Sequence, residues 1–342
     1  MLQSGDRIAI YMEGALASRG SKMGIGTLRY SPHVIACLID SENAGQDVVA
    51  LTGVDRSVPI VASLNEAKEL GANVLLLGIA PPGGLIPVEW YATLDEAVGM
   101  GLSIVNGLHD LLSTRYPNLA DGQWIWDIRQ EPDGVGVGTG EARNLKNKRV
   151  LFVGTDMSVG KMTAGLELHK LARSRGINAE FIATGQVGIT IMGRGVPLDC
   201  IRVDFAAGAM ERAVLDASTS ELVIIEGQGS LVHPGSSSTL PLLRGAQPTH
   251  LVLCHRAGMT ELIDQPWVKI PPLKDLAQQY EDLAEVCGVF RRPVTAAICL
   301  NTSHLPEKDA ERVLRETERE VGMPVCDAVR FGAERILDAL NC

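Results

Sequence analysis

One segment, residues 150–163, constrains the fold of this chain more than any other part of the sequence. Apolar residues typical of a buried strand lead into a loop bounded by Gly154 and Gly160, and Lys161 follows at the start of a helical pattern. In such a loop the backbone N–H groups, the positive end of the helix dipole and the lysine charge all attract an anion. The segment therefore predicts a strand, a phosphate-binding loop and a helix, in that order.

The spacing differs from that of the common P-loop, which has four residues between its glycines and Ser or Thr directly after Lys. Here five residues lie between Gly154 and Gly160, and Met162 follows Lys161, so Thr163 comes one place late. Apolar residues recur with helical spacing over 164–172, which supports the predicted helix. The residues predicted to bind phosphates are Gly154, Thr155, Asp156, Ser158, Val159, Gly160, Lys161, Met162, Thr163 and, after the next predicted strand, Gln186.

At 342 residues the chain is long enough for two α/β domains. We expect an N-terminal Rossmann-like, doubly wound domain at 1–115, a linker or docking segment at 116–148, and a C-terminal P-loop NTPase-like α/β domain at 149–342. The net charge of −10 argues against a nucleic-acid partner. Short apolar runs argue against a membrane segment, and scattered cysteines without a secretory leader favour a cytoplasmic protein.

The first domain alternates short apolar runs with helix-like stretches such as 64–70 and 94–100. This alternation predicts parallel strands joined by crossover helices, with ligands at the carboxyl ends of the strands. Two loops follow such ends, a glycine-rich one at 13–30 and Ala-Pro-Pro-Gly-Gly at 80–84. No G-x-G-x-x-G follows the first strand, which disfavours a nicotinamide dinucleotide. The predicted strands are residues 8–11, 34–39, 60–62, 74–79 and 103–105.

The segment at 116–148 shows no persistent helical or strand period, and it includes a glycine-rich run at 134–140. Trp124 and Trp126 stand close together within it. Because aromatic side chains of that size usually bury, we expect these two to form an inter-domain contact.

In the second domain a carboxylate ends an apolar strand. The run 222–225 leads to Glu226, and Gly227, Gln228, Gly229 and Ser230 come next. A carboxylate at the end of a buried strand beside a phosphate loop is costly unless it has a task. Glu226 is therefore a candidate general base or metal ligand.

Three further residues have both a functional and an ordinary interpretation. His233, beyond the glycine loop, is either a base or a surface loop histidine, and His255, at the tip of the strand 251–254, has the same two interpretations. Asp204 is either the N-cap of a helix that begins at Phe205 or a magnesium ligand with Thr163 and Glu226.

Several of these segments together resemble a two-domain P-loop family formerly of unknown function, some of whose members are DgcN-type D-glutamate N-acetyltransferases. The P-loop domain is also similar to that of dethiobiotin synthetase, which shares the longer glycine spacing but keeps Thr directly after Lys. The landmarks cover almost the whole chain and are residues 80–84, residues 154–163 with Met162 in place, Thr184-Gly185-Gln186, residues 226–230 and Leu253-Cys254-His255.

The resemblance implies an N-acetyltransferase that moves an acetyl group from acetyl-CoA to the amino group of an acidic amino acid, most plausibly D-glutamate. Lys161 and the loop N–H groups would hold the phosphates of acetyl-CoA. Glu226 or His233 would take the ammonium proton, and the glycine loop would stabilise the oxyanion. The residues that this reading places at the substrate are Gly227, Gln228, Gly229, Ser230 and His255, with Arg19, Lys22, Arg29 or Arg256 as candidates for its carboxylates.

Two alternatives stay open at this stage. An ATP- and magnesium-dependent ligase or kinase of the dethiobiotin synthetase kind would use Lys161 on the β- and γ-phosphates, with Thr163, Asp204 and Glu226 around the metal. A nucleotide-sensing P-loop regulatory protein would instead produce a conformational change. In each case we expect a small-molecule ligand and, as the common default, a homo-oligomer.

Overall fold

The structure is a computed structural model that describes residues 2–16 and 18–341. The chain divides into two compact units. The first comprises Met1–Gln130 with Gln186–Cys200, and the second comprises Glu131–Gly185 with Ile201–Cys342. Each unit contains a six-stranded sheet in which the paired strands are parallel, so the predicted α/β class is confirmed.

The first unit is a doubly wound sheet. Its strands run in the order β3-β2-β1-β4-β5-β6, so the order reverses beside β1, as in Rossmann-like folds. The elements are β1 (Arg7–Tyr11), α1 (Lys22–Tyr30), β2 (Val34–Ile39), α2 (Val48–Thr52), β3 (Ile60–Val61), α3 (Leu64–Glu69), β4 (Val74–Leu77), α4 (Trp90–Gly99), β5 (Ser103–Asn106), α5 (Leu112–Arg115) and β6 (Ile125–Asp127).

The second unit has the strand order β12-β11-β10-β7-β9-β8. Its elements are β7 (Lys148–Gly154), α6 (Lys161–Ser174), β8 (Ala179–Ile182), α8 (Val203–Asp216), β9 (Leu222–Ile225), α9 (Thr239–Ala246), β10 (His250–Arg256), α10 (Leu273–Glu285), β11 (Val294–Asn301), α11 (Glu307–Val321), β12 (Val325–Cys326) and α12 (Glu334–Ala339). Between β8 and α8 the chain forms α7 (Gln186–Met192), which packs against α1 and groups with the first unit.

The apolar patterns explain these elements. Strand β7 is buried from Arg149 to its end, as expected for a central parallel strand covered on both faces. Helix α6 buries Ala164, Leu168 and Ala172, which lie on the face predicted from their spacing. Among the described residues, none of the helices combines the length and apolar character that crossing a bilayer requires.

The expected irregular segment at 116–148 contains a strand of the first sheet. In β6, Trp126 pairs with Val105 of β5, and the Trp124 N–H donates to Ser103 Oγ at 3.2 Å. The sequence shows no strand period here, because a strand of three residues is too short to show a period of two.

The glycine run at 134–140 packs on helix α8. A Cβ atom at Gly208 would lie 1.9 Å from the Gly136 carbonyl oxygen, so only glycine permits this approach. The buried Glu211 carboxylate accepts hydrogen bonds from the N–H groups of Thr139, at 2.6 Å, and Ala142, at 3.3 Å. Every second residue of the run is a glycine without a side chain, yet these contacts anchor its backbone.

Helix α8 begins at Val203 rather than Phe205, and Arg202 occupies its N-cap. The N-cap interpretation of Asp204 is therefore wrong. Asp204 lies exposed in the first turn, where its charge is favourable near the positive end of the helix.

Candidate functional site

The loop between β7 and α6 has the tight backbone that the two glycines predict. Gly160 is the N-cap of α6 with φ 109°, and Ser158 has φ 59°, a left-handed conformation that is uncommon for a residue with a side chain. The first N–H groups of α6 have no partners within the helix. This strand–loop–helix geometry is the one that binds phosphate groups in P-loop proteins.

The buried side chain of Lys161 packs close to two glycines, Gly154 and Gly227. Its ammonium donates a hydrogen bond to the Asp156 carbonyl oxygen at 2.8 Å. A Cβ atom at Gly154 would lie 3.1 Å from Lys161 Nζ, and one at Gly227 would lie 1.7 Å from the Phe152 carbonyl oxygen and 3.3 Å from Lys161 Cδ. Gly227 is therefore needed for the glycine loop after β9 to approach the P-loop strand, and the lysine side chain packs closely against both glycines.

The side chains of the P-loop itself are held in place by the strand beside it. Thr155 Oγ1 lies 3.0 Å from His255 Nδ1 in the core, and burial lowers the pKa of His255 to about 4. The imidazole is neutral at physiological pH as a result. The carboxylate of Asp156 accepts from the N–H groups of Met157, at 2.6 Å, and Ile263, at 3.2 Å. In this geometry His255 supports the P-loop, and its predicted contact with a substrate stays a prediction.

Glu226 is a buried carboxyl group at the carboxyl end of β9. Its Oε2 accepts hydrogen bonds from the N–H groups of Thr184, at 2.9 Å, and Gly185, at 3.2 Å. Burial raises its pKa to about 7, against the opposing effect of these bonds, of the Lys161 charge and of the Gln228 amide. Both protonation states are therefore populated near neutral pH, which is the property required of a general base.

The glycine loop after Glu226 is tied to the P-loop by Tyr280, a residue that the sequence analysis missed. The Tyr280 hydroxyl donates to the Gly154 carbonyl at 2.9 Å and accepts from the Leu231 N–H at 2.8 Å. Within the loop, the Ser230 N–H donates to Ser236 Oγ at 3.1 Å. The only sequence signal was a tyrosine on the apolar face of α10, which ordinary core packing would also produce.

His233 is half-buried, and its Nδ1 accepts a hydrogen bond from the Gly235 N–H at 3.0 Å. In the neutral imidazole the proton is therefore assigned to Nε2. In this arrangement His233 offers a donor, and its acceptor nitrogen is already engaged. The geometry favours Glu226 over His233 as the base and leaves His233 suited to stabilise a developing negative charge.

The remaining predicted residues lie on three helices. Thr163 and Met162 are half-buried in the first turn of α6, whereas Asp204 is exposed on α8. Gln186 begins α7, which groups with the first unit. Over residues 2–16 and 18–341, no group of three or more His, Cys, Asp or Glu side chains is placed to hold a metal ion.

The family model for the C-terminal P-loop domain of DUF1611, a domain of unknown function, matches residues 136–337. The model for the N-terminal Rossmann-like domain of the same family matches residues 41–131. These matches confirm the predicted pair of domain types.

Two curated proteins and one solved structure are similar over most of the chain. A D-glutamate N-acetyltransferase from Tritonibacter scottomollicae is 39% identical over 284 residues, which cover 81% of this chain and 84% of that protein. A D-glutamate N-acetyltransferase from a Pseudoalteromonas species is 33% identical over 338 residues, which cover 97% and 94%. The crystal structure of a DUF1611 family protein from Anabaena variabilis is 46% identical, with a TM-score of 0.96 and coverage of 98% and 99%.

Proposed function

Because this chain belongs to the DUF1611 family, we propose that it is an N-acetyltransferase that moves an acetyl group from acetyl-CoA to the amino group of D-glutamate. The observation that carries the proposal is the similarity, over 81% and 97% of the chain, to two proteins named D-glutamate N-acetyltransferase. The site adds physical support, since it combines a phosphate-binding loop with a buried carboxyl group of nearly neutral pKa.

The P-loop suits the phosphate groups of acetyl-CoA. A pyrophosphate and a 3′-phosphate need backbone N–H donors and a cation, and the loop 154–161 offers both. Lys161 would supply the charge, and Gly154 and Gly160 allow close approach of the backbone. No metal ion is required for this binding.

Acetyl transfer needs a neutral amine, a base and donors for the oxyanion. Glu226 would remove one proton from the ammonium group of the acceptor. The amine nitrogen then forms a bond to the carbonyl carbon of the thioester, and the bond from that carbon to sulfur breaks. The nitrogen loses a second proton, the departing thiolate takes one up and leaves as the thiol form of coenzyme A, and Glu226 releases its proton to solvent. N–H groups of the loop 227–229 and Nε2–H of His233 are the candidate hydrogen-bond donors to the oxyanion of the tetrahedral intermediate.

The chain also supports a second candidate, an ATP- and magnesium-dependent ligase or kinase. The P-loop between β7 and α6 favours it. The position of Met162 disfavours it, because the common P-loop places a metal-binding hydroxyl at that position. The two candidates differ in whether turnover needs ATP and magnesium.

The deciding experiment incubates the purified protein with acetyl-CoA and D- or L-glutamate in the presence of EDTA, with mass spectrometry of the products. The proposal expects N-acetylglutamate from the D-isomer, in amounts equal to the free coenzyme A thiol released. Product that forms only when ATP and magnesium are added would support the ligase or kinase, and release of coenzyme A without any N-acetylated product would contradict the proposed acceptor.

A further inference from the structure

Loops at the carboxyl edge of the first sheet are held together by hydrogen bonds. They follow the neighbouring strands β4, β5 and β6. The His109 N–H donates to the Gly84 carbonyl at 2.8 Å, and the Ile86 N–H donates to the Asp110 carboxylate at 2.6 Å. Ligands of doubly wound folds bind at this edge. The bonds fix the backbone on which side chains could meet such a ligand.

Arg129, just after β6, is a largely buried cation, and few of its N–H donors have a partner among the described residues. Its side chain is 11% exposed, and Asp199 Oδ2 lies 3.2 Å from its Nη2. Its buried Nε has no hydrogen-bond partner among the residues that the structure describes. A guanidinium carries five N–H donors, and a buried charge with so few partners is costly. An anion bound at this point would supply the missing hydrogen-bond partners.

The side chains of His109 and Arg129 both pack against Gly84. This residue has φ 68°, and a Cβ atom here would lie 2.7 Å from His109 Cδ2, 2.8 Å from Arg129 Nη1 and 3.2 Å from His109 Nε2. Glycine at this position therefore lets the imidazole and the guanidinium lie close to each other beside the loop. A guanidinium and an imidazole that are neighbours can both donate hydrogen bonds to one carboxylate.

Asp199 and Cys200, which lie between α7 and α8, are also close to Arg129 and His109. Cys200 Sγ lies 3.8 Å from His109 Nδ1 and 3.6 Å from Asp199 Oδ1. Burial raises the pKa of the Cys200 thiol to about 12, so the thiol is uncharged at neutral pH. The Asp199 side chain is 43% exposed, so it can return to water when another carboxylate takes its place on the guanidinium.

We propose that Arg129 and His109 bind a carboxylate of the acceptor amino acid in the first unit, with Asp199 pairing Arg129 when the acceptor is absent. This inference rests on the proposed function, which requires an acidic acceptor. It makes Arg129 a determinant of specificity for acidic over neutral amino acids, and it gives Gly84 the task of leaving space for the side chains of Arg129 and His109.

The cations proposed from the sequence are less suited to this role. Arg29 is exposed in the last turn of α1, and because that helix returns from the carboxyl edge of the sheet, its end lies at the opposite edge. Lys22 is exposed at the start of α1, Arg256 lies at the end of β10 in the second unit, and the side chain of Arg19 lies outside the described residues.

The test compares Arg129→Met with Arg115→Met, in which an exposed guanidinium paired with Asp95 is removed from the same unit. Calorimetry would measure binding of D-glutamate, of glutarate and of inorganic phosphate, and steady-state assays would separate KM from kcat. For Arg129→Met we expect the affinities for D-glutamate and for glutarate to fall by about 100-fold, because a charge-assisted hydrogen-bonded pair is lost. The KM for D-glutamate should rise by about the same factor. Acetyl-CoA binding should not change, and Arg115→Met should behave as the wild type.

Thermal unfolding separates this role from a structural one. Replacing a sparsely paired buried charge by an apolar side chain of similar length should leave Tm unchanged or raise it. A lowered Tm together with an unchanged KM for D-glutamate would overturn the carboxylate site and leave the proposed function intact. Binding of phosphate but of neither carboxylate by the wild type would also overturn it.

Failure of the proposed function has a different signature. If the wild type acetylates no acidic amino acid yet binds glutarate in a manner lost in Arg129→Met, the carboxylate site stands and the assigned reaction fails. If the wild type binds no carboxylate at all, both fail.

Discussion

Charged side chains near the carboxyl edges of the two sheets differ in how fully the protein supplies their hydrogen-bond partners. In the second unit the charged groups beside the P-loop are engaged within the protein: Glu226 by the N–H groups of Thr184 and Gly185, Asp156 by those of Met157 and Ile263. In the first unit Arg129 is largely buried, yet over residues 2–16 and 18–341 it makes an ion pair with Asp199 alone and its Nε lacks a hydrogen-bond partner.

The difference indicates different tasks. A group that must keep a fixed position and exchange a proton benefits from a full set of partners, because these hold its geometry and tune its pKa. A group that must grip an arriving anion benefits from donors that the protein leaves unused, at a cost in stability. We therefore interpret the P-loop and Glu226 of the second unit as the groups for the phosphate-bearing donor and the proton transfer, and Arg129 of the first unit as a group that binds a carboxylate.

The largest expected effect comes from Glu226→Gln, which keeps the shape and removes the base. Loss of general-base catalysis typically lowers kcat by about 10²–10⁴-fold, and we expect an effect of that size. In the wild type, kcat should rise with pH through about 7, as Glu226 loses its proton. Steady-state assays from pH 5.5 to 8.5 check both statements, and a variant with unchanged kcat would exclude Glu226 as the base.

Lys161→Ala should weaken acetyl-CoA binding by about 10²-fold or more, because a buried charge-assisted contact to a phosphate is lost. The matched control is Lys170→Ala, which removes an exposed lysine of the same helix. Calorimetric titration distinguishes the two variants. Equal affinities of the two variants for acetyl-CoA would mean that the loop 154–161 does not bind the donor. The role assigned to the second unit in this comparison would then be wrong.

The anchoring of the glycine run can be tested by comparing Gly208→Ala with Gly136→Ala. A Cβ atom at Gly208 would meet the Gly136 carbonyl oxygen at 1.9 Å, whereas one at Gly136 meets nothing within 4 Å. We expect Gly208→Ala to lower the free energy of unfolding by about 3 kcal/mol, at the upper end for overpacking, although alanine favours a helix. Gly136→Ala should cost less than about 1 kcal/mol. Urea denaturation measures both, and equal losses would show that the run is not packed on α8.

Glu226 should also leave a signature in the pH dependence of stability. Its pKa is raised from 4.5 to about 7 in the folded protein, so the folded state favours the protonated form. The stability that this gives is fully present below pH 4.5 and is lost as pH rises through 7. The glutamine variant cannot titrate, so its free energy of unfolding relative to the wild type should increase by about 2–3 kcal/mol between pH 5 and pH 8. Urea denaturation at the two pH values would detect this, and parallel curves would mean that Glu226 has an ordinary pKa.

The smallest effect expected is that of Tyr280→Phe. It removes the donor to the Gly154 carbonyl and leaves the Leu231 N–H without its acceptor, which should cost about 1–3 kcal/mol. Tyr116→Phe is the control, since its hydroxyl bonds to Asp95 at the surface. Thermal unfolding separates the two, and an equal, small shift in Tm would show that Tyr280 does not tie the loops together.

Local patterns in the sequence were enough to predict the succession of strand, loop and helix around the P-loop. The apolar run before Gly154, the spacing of Ala164, Leu168 and Ala172, and the carboxylate after 222–225 each lie within one element and its flanking loop. Such features depend on short-range geometry, so the predicted strands and α6 agree with the structure to within a few residues.

Features that join distant segments could not be predicted in this way. Tyr280 bonds to a residue 126 positions away, and the Arg129 cluster unites positions 84, 109, 129 and 199. A periodic pattern within one segment does not indicate which distant residues contact one another. The glycine run shows the same limit, because the partner that makes it ordered, Gly208, lies on another element.

The most direct test of the contrast between the units is a crossed titration of three proteins, the wild type, Lys161→Ala and Arg129→Met, with acetyl-CoA and with D-glutamate. Our account predicts that Lys161→Ala loses only acetyl-CoA binding and that Arg129→Met loses only D-glutamate binding, each by about 100-fold. If either variant lost both ligands, or if the losses were exchanged, the assignment of Lys161 to acetyl-CoA and of Arg129 to D-glutamate would be wrong.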